Sequence, residues 1–147
     1  MITMVWLLLG LVTGWGFVVY ACRYPEKSRP TIWAQGLVVA GFVYIIFAVV
    51  GGHYDWLKYE LIGLSACILF ALLGTKHSPY WLAMGWGLHP VWDVYVHLIG
   101  PASDVAPSWY AVLCLSFDVF VASHIVRAQV VTKIKTKRVS RTEGNIE

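Results

Sequence analysis

The stretch TIWAQGLVVAGFVYIIFAVV, Thr31 to Val50, runs for twenty residues without a charged side chain. An α-helix rises about 1.5 Å per residue, so such a stretch is about 30 Å long, the thickness of a bilayer's hydrocarbon core. Within that core the backbone has to satisfy its own hydrogen bonds, which makes a helix the required conformation. Working outward, four further stretches share this character: about Ile2 to Cys22, about Trp56 to Gly74, Tyr80 to Ile99, and Ser108 to about Val131. The stretch from Trp56 is the shortest and opens with Lys58 and Glu60. Tyr80 follows Ser78-Pro79, an N-cap and a proline at the first helical position, and Ser108 follows Pro107. Alternation of apolar and polar residues is absent, which excludes a membrane barrel. The expectation is an all-α integral membrane bundle of about five transmembrane helices, in which short connections make sequential helices antiparallel neighbours.

Composition points the same way. The chain of 147 residues is 59% hydrophobic and only 13% Asp, Glu, Lys and Arg, with mean hydropathy +0.66. Soluble domains carry roughly 25% charged residues, so a water-facing surface cannot be assembled from this chain, and the lipid bilayer is its expected partner. The net charge of +3 lies mainly in one loop and the tail. That pattern reports membrane orientation and argues against nucleic acid as a partner. Residues 1–132 are read as the five-helix transmembrane domain, and 133–147 as a polar, basic cytoplasmic tail that frays into water. Cys22, Cys67 and Cys114 form no CxxC pair and no disulfide framework; Cys67 and Cys114 read as small buried hydrophobes.

Lysines and arginines set the orientation. With the C-terminus inside, the inner face carries Arg23, Lys27, Arg29, Lys76, Arg127, Lys133, Lys135, Lys137, Arg138 and Arg141, and the outer face only Lys58. The bias predicts a multi-pass protein of the inner (plasma) membrane with its N-terminus outside. Aromatic residues at span ends, among them Tyr54, Trp56, Tyr80, Trp81, Trp109 and Tyr110, read as interfacial belts. A cleaved signal is not expected: no basic residue precedes the first apolar run, and that run exceeds the usual core of roughly 7–15 residues.

Ionisable groups inside a membrane are costly and need a reason. His89, Asp93 and His97 stand at i, i+4 and i+8, which at about 100° per residue places them on one stripe within about 80° of arc. Two imidazoles and a carboxylate so spaced can face one ion, as in zinc-binding HxxxH helices. Asp118 lies near mid-membrane on the fifth span with Cys114 one turn before it; Glu60 and His97 lie near the outer boundary. Three polar stripes can therefore converge on one outward-opening cavity. Pro90 removes the amide that would bond to the Trp86 carbonyl and, with Gly85 and Gly87, predicts a bend beside His89. His124 is rotated by about 240° from Asp118 and faces elsewhere, and His77 is a solvated boundary residue.

The segment Gly85-Trp86-Gly87-Leu88-His89-Pro90-Val91-Trp92-Asp93-Val94-Tyr95-Val96-His97, followed by Trp109-Tyr110, Cys114 and Asp118, resembles a family of small bacterial membrane proteins of unknown function. Its members share an H-x-x-W-D-x-x-x-H-like helix followed by a W-Y…C…D helix. The likeness covers the last two spans and implies a membrane protein with a polar stripe, without an activity. A looser similarity is to membrane hydrolases of the alkaline ceramidase superfamily, which hold zinc with histidines and an acid inside a helical bundle. Those proteins have about seven spans and a site serine; this chain has five, and Ser65 and Ser116 merely match in depth.

Three functions remain open from these residues. His89, Asp93, His97 and Asp118 can pin the bundle's register through hydrogen bonds. They can hold a metal, zinc being one that fits, with Asp93 or Asp118 as catalytic base of a zinc-dependent hydrolase acting on a lipid. They can also line a proton or cation pathway. Whether the protein is an enzyme is left open at this stage. Haem would need a second histidine on another helix, and no lysine lies in the interior of a span for a retinal Schiff base. Gly10 and Gly14 form a GxxxG match, which serves either a homo-oligomer or packing within one chain.

Overall fold

The computed structural model describes residues 2–143; residues 144–147 of the expected tail and the side chains of Arg138 and Arg141 lie outside the described residues. The elements are α1 (Ile2–Cys22), α2 (Arg29–Val50), α3 (Leu57–Lys76), α4 (Pro79–Trp92), a π-helical segment (Asp93–Leu98) and α5 (Ser108–Glu143). Strands are absent among the described residues. Four of the helices, α1, α2, α3 and α5, are long and apolar enough to cross a membrane. The fourth expected span is instead 14 residues of α-helix continued by six of π-helix. Its physical cause lies in Pro90: without an amide there, the hydrogen-bond ladder is interrupted, and it resumes in a wider register.

Local chemistry sets the helix ends. The Ser78 hydroxyl accepts from the Tyr80 amide at 3.4 Å, and Pro79 opens α4. α2 stops at Gly51-Gly52, where Gly52 has φ +76°, a conformation that only glycine adopts freely. Helix α5 runs past the expected end of the fifth span. Its ladder does not stop where the sequence turns basic but continues to Glu143, because lysine and arginine are good helix formers. Hydropathy reads the solvent and not the backbone.

Packing departs from simple sequential order at one place. α2 packs on α3, α3 on α4, and α4 on α5, but α1 docks mainly on α5 and barely touches α2. Gly10 and Gly14 explain this. A Cβ on Gly10 would collide with Ser116 and the Leu113 carbonyl, and one on Gly14 would stand 3.3 Å from Phe117 Cα. The GxxxG pair therefore brings two helices of one chain together, and Ser116 Oγ donates to the Leu7 carbonyl across the contact at 2.8 Å.

Two apolar clusters frame the interior. The larger gathers Trp33, Leu37, Leu82, Trp86, Val121 and Ile125 toward the end of the bundle that carries Lys27, Arg29 and Arg127. The smaller, at the other end, joins Ala48 to Ala102 and Val105 of the loop before α5. Between them lies a polar layer. The usual distribution is inverted: Glu60, Asp93, His97 and Asp118 are at most 2% exposed while Leu8 and Ile62 are 62% and 60% exposed.

Candidate functional site

His89 stands on the last turns of α4, Asp93 opens the π segment, and Asp118 comes from mid-α5. The His89 Nδ1 nitrogen faces both acids, 2.9 Å from Asp118 Oδ2 and 3.4 Å from Asp93 Oδ2. One ligand atom from each residue falls within 4.8 Å of the others, and all three side chains are buried. Asp93 Oδ1 and Asp118 Oδ1 have no hydrogen-bond partner among the described residues. The i, i+4 spacing of His89 and Asp93 delivers what it promised, and Asp118 joins them from the neighbouring helix.

His97 is placed apart from this group. Its Nε2 lies 3.5 Å from Glu60 Oε2 on α3, and its Nδ1 lies 3.4 Å from the Ala102 carbonyl. The matched depths of Glu60 and His97 thus become a direct pair. The expected single stripe is two groups, the trio Asp118–His89–Asp93 and the pair Glu60–His97, at successive depths.

Tyr44 joins the two groups and was not singled out from the sequence. It is 2% exposed, stacks on His97 at 4.2 Å and 17°, and its ring centre lies 5.9 Å from that of His89. The signal available was its place in the middle of an apolar span, where interfacial belts do not reach. Replacing it separates packing from polarity. Tyr44→Phe is expected to keep stability within about 1 kcal/mol, and Tyr44→Ala to lose about 3–5 kcal/mol through the cavity left, read as thermal denaturation in detergent. Equal effects would show that the ring does not hold the two groups together.

The loop of residues 99–107 was also not foreseen. Ala102, Val105 and Ala106 are buried, the Ala102 amide donates to the Val96 carbonyl at 3.1 Å, and its carbonyl faces His97. A cavity of about 140 Å³ between α2, α3 and α4 reaches the site, lined among others by Tyr44, Glu60, Cys67, His89 and Trp92. His124 lies away from it, its ring 6.1 Å from Trp33 and its Nε2 3.9 Å from Cys22 Sγ. His77 is exposed at the end of α3. Ser65 donates to its own helix at Leu61, and Ser116 is engaged by α1. Neither serine takes the place of a site nucleophile.

A family model described as a family of unknown function, DUF6010, matches residues 5–130. The chain belongs to this family. The match takes in all the site residues and reaches from α1 far into α5, well beyond the last two spans that carried the resemblance in the sequence. No curated protein and no solved structure is matched by the chain. The family's description assigns no activity.

Proposed function

We propose that this member of the DUF6010 family is a five-span membrane protein that binds a zinc ion at His89, Asp93 and Asp118. The observation that carries the proposal is the convergence of three buried donor atoms within 4.8 Å. Two carboxylates facing one imidazole leave an excess negative charge even if the histidine is protonated, and burying uncompensated charge is strongly unfavourable. A divalent ion with two aspartates and a neutral histidine makes the group neutral. Tetrahedral ligands at about 2.0–2.2 Å from zinc stand roughly 3.4 Å from one another; the two acid oxygens lie 2.9 and 3.4 Å from His89 Nδ1, and all three donors fall within 4.8 Å.

In this reading α4 and its π extension form the fourth span, with the N-terminus outside, the C-terminus inside and the basic loops on the inner face of the plasma membrane. His97, without a place among the three donors, pairs with Glu60 and holds the wall of the cavity. The test is metal analysis of the protein purified in mild detergent, incubated with zinc and desalted. About one equivalent is expected for the wild type and below a tenth for Asp118→Asn. A wild-type value below a tenth overturns the proposal.

The cavity lined by His89 favours a second reading, a zinc-dependent hydrolase acting on a lipid. Three protein donors leave a fourth position open, as in catalytic zinc sites, and bound zinc supplies an activated water. Asp93 and Asp118 each keep a free oxygen and are the groups placed to accept a proton. Release of fatty acid from reconstituted vesicles, abolished in Asp93→Asn, is the expected result; equal release by the two proteins removes this reading and leaves the metal site standing.

A further inference from the structure

A second polar feature lies at the opposite end of the bundle from the Glu60–His97 pair. Where α2, the start of α4 and α5 meet, a surface pocket of about 560 Å³ is lined by Lys27, Arg29, Arg127 and Lys135, with Glu26 as its one acid. The volume falls within the range of roughly 300–1,000 Å³ typical of small-molecule sites. Lys27, Arg127 and Lys135 meet no acidic partner among the described residues, and Glu26 approaches Arg29 at 3.9 Å. Arg29 is held in place by donating to the Tyr24 and Cys22 carbonyls at 3.1 and 3.3 Å. Four cations against one acid make the pocket a receptor for an anion.

Trp33 supplies an independent observation. It lines the pocket, is only 3% exposed, and its indole Nε1 has no hydrogen-bond partner among the described residues. Its backbone is anchored, the carbonyl accepting from Trp86 Nε1 at 3.2 Å, and the His124 ring packs edge-on against the indole. A buried N–H without an acceptor is unfavourable, and an oxygen-rich ligand in the pocket would satisfy it.

We propose that this pocket binds the phosphate of an anionic phospholipid. The inference rests on the membrane-spanning reading and is independent of the metal site. A lipid is favoured over a soluble phosphate because the cations sit beside apolar wall. Pro30, Ala128 and Val131 line the same pocket, and Val126 and Val130 continue outward as exposed side chains on α5. Acyl chains can follow that surface while the phosphate faces the basic side chains and the indole donates to one of its oxygens. Basic pockets between membrane helices on the positively charged side recognise headgroups in this way.

The test uses the full chain in nanodiscs of phosphatidylcholine with a minority of phosphatidylglycerol. The complex is then transferred to detergent, and retained lipids are counted by native mass spectrometry. Incorporation into the nanodisc checks the membrane reading separately. The wild type is expected to retain phosphatidylglycerol in preference. Arg127→Gln with Lys135→Gln should lower that retention by roughly tenfold, and Trp33→Phe by about threefold. Arg23→Gln with Lys76→Gln removes equal charge outside the pocket and should leave retention unchanged. Absence of preference in the wild type, equal loss in the Arg23/Lys76 control, or displacement by soluble glycerophosphate as readily as by added lipid would overturn the proposal.

Discussion

Replacing His89 with alanine is expected to abolish zinc binding and to destabilise the bundle by about 3–5 kcal/mol, the cost of leaving a buried charge without its partner. The magnitude discriminates between two pictures of the site. Were His89, Asp93 and Asp118 joined only by neutral hydrogen bonds between helices, the loss would be about 0.6–2 kcal/mol, the range for such bonds in membrane bundles. The larger value is expected because Asp93 and Asp118 are 0% and 1% exposed, and both face the same imidazole nitrogen. A double variant sharpens the test. Adding Asp118→Asn to His89→Ala removes one of two facing like charges, so part of the lost stability should return even though no metal is bound. Thermal denaturation in detergent measures both variants. A loss below 2 kcal/mol with no recovery in the double variant would show that charge does not govern the group, and the metal reading would lose its main physical support.

The sequence exposes the residues of this group unevenly. Composition and the lengths of the apolar runs declared the solvent, so α1, α2, α3 and α5 lie close to their expected positions. Ser78-Pro79 marked the start of α4 because capping is local chemistry. His89 and Asp93 share a turn, and their proximity follows from helix periodicity. Asp118 could be placed only by depth, which gives a level in the membrane and not a partner; the docking of α4 on α5 completes the group. His97 shows the limit of periodicity. An ideal helix carries it on the His89 stripe, but the π segment beyond Pro90 changes the register, and its neighbours become Glu60, Tyr44 and Ala102. Those three partners come from α3, α2 and a loop. Nothing in the spacing of residues within one helix encodes them.

Gly10→Leu is expected to be the most damaging substitution outside the polar layer. The reason is again tertiary. α1 has no charged residue and no side chain in the site, and it is held mainly through its contact with α5. At Gly10 the two backbones approach so closely that even a Cβ would meet Ser116 Oγ and the Leu113 carbonyl. The carbonyl cannot rotate away without breaking the α5 ladder, so the helices have to separate. Separation breaks the Ser116–Leu7 hydrogen bond and parts the Phe17–Phe117 ring pair, whose centroids lie 5.7 Å apart. Overpacking costs about 1–3 kcal/mol where side chains can adjust, and the upper end or beyond is expected here because the obstacle is backbone. Gly16 provides the control on the same helix, since nothing lies within 4 Å of a Cβ built there. Gly16→Ala should be neutral or stabilising by up to about 1 kcal/mol, because alanine favours the helix. The proposed zinc binding should be kept by Gly10→Leu as long as the protein remains folded, since His89, Asp93 and Asp118 lie on α4, the π segment and α5. If Gly10→Ala and Gly16→Ala melt at the same temperature, α1 is not seated on α5 through the glycine pair. If Gly10→Leu instead dissociates a dimer while each subunit keeps its stability, the small-residue face serves a second copy of the chain.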